Sequence, residues 1–299
     1  MRLTLLGTGC PVASAERLGP GTLIRHGDVA VLVDCGSGVA QRLVQAGCPG
    51  RDLDAVLVTH IHSDHLVDLY QLIVSSWHQG REKPWLVYGP PALRPLVKDM
   101  MALWQEERQL RIAHEHRPST TGLEVEVRPL HDDGHFAIGG LAIESFAVDH
   151  RPVEPAFGLA FGAGEGTEHR RLVLSGDTCR CPGVVAAAKG ADLLVHEVFV
   201  HAAMTPEPGV RSRETIDRVA AYHTSSGEVG KIAAEAGAGA LALTHIVPPS
   251  ADRAALLREV AADFSGPVIV GEDLMEIDLD SRTLRHGTLH LSLGRTGGD

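Results

Sequence analysis

Short apolar runs alternate along this chain with glycine-rich turns and with stretches whose apolar residues recur at helical spacing. Residues 3–6 and 29–33 have the length and composition of early strands. Gly7-Thr8-Gly9 is a turn, and the full GxGxxG that opens a helix in a dinucleotide loop is absent. Residues 55–58, Ala-Val-Leu-Val, form a buried-type run. Leu66, Leu69, Leu72, Ile73 and Trp77 then recur as one face of a helix of roughly four turns starting directly after His65. Its N-terminus beside Asp64 and His65 favours negative charge. Strands are predicted over 85–88, 124–128, 141–148, 157–161, 171–174, 192–195, 241–244 and 268–270, and helices over 93–109, 228–236 and 251–264. Strands interleaved with helices imply a mixed α/β architecture with two sheets or one large one. Residues 108–121 read as a charged surface excursion and 294–299 as a frayed tail. With no Ser/Pro linker and no low-complexity segment, residues 1–299 read as a single domain.

Composition narrows the class. Aromatics make up only 4%, so Leu, Val and Ala must fill most of the core. Formal net charge is −11, and Lys supplies only four of the 27 basic residues, a weak footprint for a polyanionic partner. Five cysteines, an odd number without a disulfide framework, suggest a reducing compartment. No signal-peptide core and no apolar stretch of membrane-spanning length is present, so the expectation is a cytoplasmic protein without a membrane partner. Cys179-Arg180-Cys181 alone is weak evidence for a metal or redox pair, and its role stays open.

The chemistry concentrates in Thr59-His60-Ile61-His62-Ser63-Asp64-His65, directly after the third of the apolar runs above. In a loop leaving a strand end, the imidazoles of His60 and His62 can converge on one ion, and Asp64 and His65 on a neighbouring one. Three further residues follow strand-like runs in the same way: His150, Asp177 (after Gly176, which suits a tight turn) and His245. Four such strands side by side would gather seven ligands. His78, His114, His116, His131, His135, His169 and His201 lack this placement and read as surface residues. Arg211 and Arg213 read as part of a solvated loop, and Trp77, Trp85 and Trp104 as packing residues.

At these residues the chain resembles the metallo-β-lactamase superfamily, and within it the ribonuclease Z-like branch, which includes tRNA 3′-processing endonucleases and arylsulfatase-like hydrolases. Other matching stretches are Leu6-Gly7-Thr8-Gly9, Asp34-Cys35-Gly36, Tyr88-Gly89-Pro90, residues 192–197, and His223-Thr224-Ser225, in the family's order. The resemblance implies an αββα four-layer sandwich with two Zn²⁺ ions at one edge, Mn²⁺ or Fe being alternatives at such sites. It implies that His60, His62 and His150 hold one ion, that Asp64, His65 and His245 hold the other, and that Asp177 bridges them. Asp64 would also orient a metal-bound hydroxide. His223 would protonate the leaving group, with Glu197 fixing its tautomer. Asp34 is expected to support ligand histidines rather than bind metal, and His196 to be structural.

Three functions follow. The leading expectation is hydrolysis of an ester-type bond (phosphodiester, sulfate ester or lactone) in a small molecule. The alternative is tRNA 3′-end cleavage. Against it stand the acidic charge, the lack of a recognisable Pro- and Lys-containing loop over 13–20, and the mere 27 positions from His150 to Asp177, where many such endonucleases carry a long arm. A diiron redox protein is disfavoured because those usually replace the second ligand histidine by Glu, where this chain has His62. The branch often dimerises, and the helix bearing Trp77 is a candidate face.

Overall fold

The computed structural model describes residues 1–166 and 169–294. Of the expected frayed tail, residues 295–299 lie outside the described residues. In chain order the strands are β1 (Arg2–Gly7), β2 (Gly21–His26), β3 (Val29–Val33), β4 (Ala55–Leu57), β5 (Trp85–Gly89), β6 (Val125–Pro129), β7 (Gly134–Ile138), β8 (Leu141–Val148), β9 (Ala156–Ala163), β10 (Arg170–Leu174), β11 (Leu193–Phe199), β12 (Leu241–Val247), β13 (Val268–Val270), β14 (Met275–Asp278), β15 (Thr283–His286) and β16 (Leu289–Ser292). The helices are α1 (Val39–Gln45), α2 (Leu69–His78), α3 (Leu93–Leu103), α4 (Gln105–Glu115), α5 (Pro182–Ala187), α6 (Arg213–Ala220), α7 (Ser226–Ala236) and α8 (Arg253–Ala261).

The strands form two sheets, a nine-stranded one in the order β16-β15-β14-β1-β2-β3-β4-β5-β6 and a seven-stranded one in the order β13-β12-β11-β10-β9-β8-β7. Period-two alternation explains how they stack. Leu3 and Leu5 of β1 share a core with Leu193 and Val195 of β11, between the sheets. Leu6 and Leu32 face the other way, toward Leu43 of α1 and Leu72 and Trp77 of α2. Leu194 and Val198 pack outward against Val229 and Ile232 of α7 and Val260 of α8. These three apolar layers make the expected αββα sandwich. Among the described residues, no helix is long and apolar enough to cross a membrane.

Several elements differ from the sequence expectation, each for a physical reason. The helix expected directly after His65 begins at Leu69 and has ten residues, after a single 3₁₀ turn over Ser63–His65. Between them the chain is tied to the loop after β3: Cys35 N–H donates to the His65 carbonyl (2.7 Å) and Asp68 N–H to the Cys35 carbonyl (3.1 Å). The single helix expected over 93–109 breaks at Trp104, whose ring stacks on Tyr70, and α4 then occupies much of the expected surface excursion. α6 starts at Arg213, capped by the Ser212 hydroxyl, where a loop was expected to continue. Trp77 of α2 is a buried packing residue, as expected, and its indole donates to the Ser119 carbonyl.

One buried cation stabilises the helical layer beside β4 and β5. Arg81 is 2% exposed, donates to the carbonyls of Gly50, Leu53 and Pro84, and lies 3.7 Å from the Trp85 ring centre. Burial pushes its pKa down to about 10, so it stays charged at neutral pH. Arg81→Met strands those carbonyls and should cost roughly 2–4 kcal/mol. Denaturant titration reads this; a loss below about 0.5 kcal/mol would refute the role.

Candidate metal centre

β3, β4, β8, β10, β11 and β12 run in the same direction through their sheets, so their C-terminal ends lie at one edge of the sandwich. The Thr59 carbonyl, in the loop after β4, accepts from Phe157 N–H of β9 (3.0 Å), which joins the two sheets at this edge. Two glycines allow the crowding. A Cβ on Gly36 would lie 2.3 Å from the Asp64 carbonyl oxygen, and one on Gly176 (φ 62°) 2.5 Å from that of Phe157.

The seven side chains expected as ligands converge here. The donor atoms of His60, His62, His150 and Asp177 lie within 4.8 Å of one another, and so do those of Asp64, His65 and His245. Asp177 Oδ2 lies between the groups, 3.3 Å from His65 Nε2, 3.2 Å from His245 Nε2, 3.8 Å from His60 Nε2 and 4.0 Å from His150 Nε2. Burial opposes charge on Asp177, yet the facing His245 and His65 hold it well below the usual carboxylate range. His245 does not follow its strand, as the sequence suggested. It sits inside β12 at φ 43°, where the pairing register with β11 shifts, and this kink turns its side chain to the edge.

Hydrogen bonds fix which imidazole nitrogen faces inward. The Thr59 hydroxyl donates to Asp34, so His60 Nδ1 must be the donor in its 3.0 Å contact with Thr59 Oγ1. His150 Nδ1 donates to the Tyr222 carbonyl (2.9 Å) and His65 Nδ1 to Asp34 (2.8 Å). The Nε2 lone pairs of His60 and His150 are therefore bare and aimed at the centre, while His65 Nε2 faces Asp177 Oδ2 at 3.3 Å. Burial opposes charge on His65, but Asp177 and Asp34 push its pKa well above the ordinary value. His60 Nε2 and His150 Nε2 both approach His62 Nδ1, at 3.0 and 3.2 Å. His62 Nδ1 offers at most one proton to these two lone pairs, so at least one of the contacts lacks a hydrogen bond of its own and sets two electron-rich nitrogens together. A cation among them removes that repulsion, and this is the test by which the residues fit a metal. Burial and the neighbouring imidazoles also push the His60 pKa well below its ordinary value, which keeps it neutral and ligating.

Beside the cluster, His223 Nδ1 donates to Glu197 Oε1 at 2.9 Å. The same oxygen accepts from the backbone N–H groups of Thr178 (3.2 Å) and Thr224 (3.0 Å). Burial works against a charged His223, but Glu197 outweighs it and pushes the imidazole up to about 9. Glu197 and His196 lie within β11, not beyond its end; His196 is fully buried and bonds the Glu197 carbonyl. Asp34 supports Thr59 and His65 as expected. Thr178 and the Tyr222 carbonyl were missed, because backbone partners leave no residue-type signal. The remaining histidines, His78 to His201, stay outside the groups of potential metal donors among the described residues, and Cys179 and Cys181 are free thiols.

The whole chain is similar to known proteins. A ribonuclease Z from Mycobacterium bovis is 36% identical over 287 residues, covering 94% of this chain and 99% of its own. The chain belongs to the ribonuclease Z-like branch of the metallo-β-lactamase superfamily. A family model described as Anti-Pycsar protein Apyc1 matches residues 1–207. The metallo-β-lactamase fold protein YhfI from Bacillus subtilis superposes with a TM-score of 0.69 at 25% identity, covering 92% of this chain and 98% of that one. The short form of human tRNase Z superposes with a TM-score of 0.67 at 23% identity over 93% and 99%, a likeness of fold. As a member of this branch the chain is a metal-dependent hydrolase of ester bonds.

Proposed function

We propose that residues 1–299 work as one hydrolase domain that cuts precursor tRNA at its 3′ end in the cytoplasm, a setting that the five free thiols fit. The reading rests on the near-complete alignment with ribonuclease Z relatives. Those 287 aligned residues take in 94% of this chain and 99% of the Mycobacterium relative, which leaves the relative no room for a long arm that this chain lacks. The short connection from His150 to Asp177 therefore no longer argues against tRNA.

In the proposed assignment His60, His62 and His150 would hold one zinc ion, Asp64, His65 and His245 would hold a second, and Asp177, whose Oδ2 lies near histidines of both groups, would be shared. Such ions, when bound, acidify water and neutralise phosphoryl oxygens. The protein does the rest. Asp34, Thr59 and the Tyr222 carbonyl hold the histidines in their ligating tautomers. Asp64 orients the attacking water. His223, protonated at neutral pH by the pull of Glu197, gives its Nε2 proton to the departing oxygen, and Glu197 keeps Nδ1 as the donor toward itself.

A second reading, a small phosphodiester or related ester as substrate, is favoured by charge. The net charge is −11. A cleft of about 200 Å³ beside Asp64 is walled by Val12, Val67 and Ser63. The cation lining it, Arg17, is turned away onto Glu272 (2.9 Å) and the Thr8 hydroxyl (2.6 Å). Incubation with a 3′-extended precursor tRNA decides between the two. The proposal expects a cut after the discriminator base. Turnover of bis-p-nitrophenyl phosphate with the precursor left intact would establish the small-substrate reading instead.

Chelation gives a further check. Prolonged EDTA treatment should abolish hydrolysis and lower the melting temperature, since an ion bound only to the native state stabilises it. Zn²⁺ should restore both. An unchanged melting temperature with full activity in EDTA would remove the metal from the assignment.

A further inference from the structure

Behind the centre, between the two sheets, lies a cavity of about 30 Å³ lined by Asp34, Thr59, Ser175, Val195, Glu197 and His245, among others. Three polar atoms of residues on its wall are buried without a hydrogen-bond partner among the described residues: Glu197 Oε2, His245 Nδ1, and His65 Nε2, which faces Asp177 Oδ2 at 3.3 Å. Glu197 directs its other oxygen to His223, Thr178 and Thr224. The outer nitrogens of His60, His65 and His150 each have a protein partner, and that of His245 has none. If His245 Nε2 faces an ion, as the proposed assignment requires, Nδ1 carries the proton and is a buried donor. A buried acceptor and a buried donor therefore belong to two residues that line one small cavity. A void needs about 10–15 Å³ and two or more polar partners to hold an ordered water, and leaving both groups bare would cost about 1–3 kcal/mol each.

We infer that this cavity is a binding site for one structural water, which accepts from His245 Nδ1–H and donates to Glu197 Oε2. Glu197 then positions two histidines: His223 directly through one oxygen, and His245 through the water on the other. The proton-donor pair and the ion site at Asp64, His65 and His245 share one carboxylate.

The inference rests on His245 being a ligand, so the test includes His245→Ala. Zinc affinity of each purified protein is measured by competition with a chromophoric chelator, independently of turnover. Outer partners of ligand histidines are worth about 10–100-fold in metal affinity. His245→Ala and Glu197→Ala should both weaken one of the two ions, Glu197→Ala by roughly tenfold, while His223→Ala leaves both ions in place. If His245→Ala changes nothing, the ligand assignment itself fails. If it weakens binding but Glu197→Ala matches His223→Ala, only the shared carboxylate fails. Should Glu197→Ala not fold, two measurements remain. A crystal structure of the zinc-loaded protein at about 1.5 Å should show the water within hydrogen-bond distance of both atoms. Val195→Ile, whose extra methyl enters the cavity, should weaken one ion as well. An empty cavity, or a Val195→Ile protein with unchanged zinc affinity, overturns the inference.

Discussion

Asp177→Ala should reduce kcat/KM by at least about 10³-fold and lower the number of ions retained. The side chain is 3% exposed, and one oxygen, Oδ2, lies 3.2–4.0 Å from four imidazole nitrogens drawn from both ligand groups. No other acid among the described residues lies in both the His60–His62–His150 group and a group with His245. Removing it leaves two like charges with no shared anion, and the loss of several kcal/mol of charge stabilisation corresponds to that factor. Asp177→Asn keeps the shape and loses the charge, so it should behave nearly as badly. Activity within tenfold of the parent in the Asn variant would exclude Asp177 as the bridging anion.

His223→Ala should lower kcat by about 10²–10⁴-fold with metal content unchanged, the usual worth of a positioned general acid. The loss should shrink for a substrate with a good leaving group, such as a p-nitrophenyl ester, which needs no proton on departure. It should be largest for an alkoxide leaving group. In the parent, the rate should fall on the alkaline side as His223 loses its proton. The pull of Glu197 places that loss at about pH 9, and bound cations move it lower. The alkaline limb should be absent from His223→Ala. Equal losses for good and poor leaving groups would contradict the proton-donor role and point to a structural one.

Much of this site was legible in the sequence because a ligand at a strand end needs two local signals, a buried apolar run and a polar residue just after it. His60, His62, Asp64, His65, His150 and Asp177 all show both signals, and the structure brings them together. His245 carried the residue type but not the geometry. Its strand continues to Val247, and only a kink at φ 43° turns the ring to the edge. Glu197 lies inside β11, where alternation makes it look like any inward-facing position, and only the family resemblance pointed to it. Interleaved strand and helix signals pointed to a mixed α/β architecture, the four-layer sandwich came from the family resemblance, and most strands fell within a few residues of their expected bounds. The elements that were missed lacked a distinct period. β7 is half exposed and glycine-flanked, α5 is six residues long, and β14 to β16 form a short edge hairpin series. The late start of α2 depended on bonds from Cys35 and Asp68 that join segments about thirty residues apart, and no local window contains both partners. The arm comparison, which weighed against tRNA, took other members of the branch as its yardstick, whereas 287 aligned residues span 94% of this chain and 99% of the Mycobacterium relative and leave no room for a long insertion between them.

Anomalous scattering from crystals of the protein, recorded on both sides of the zinc absorption edge, tests the proposed centre most directly. Two peaks should appear at the sandwich edge, one enclosed by His60, His62 and His150 and the other by Asp64, His65 and His245, each within bonding distance of Asp177. Crystals grown with zinc that show no peak there, or only peaks at surface histidines such as His78 or His201, would contradict the assignment.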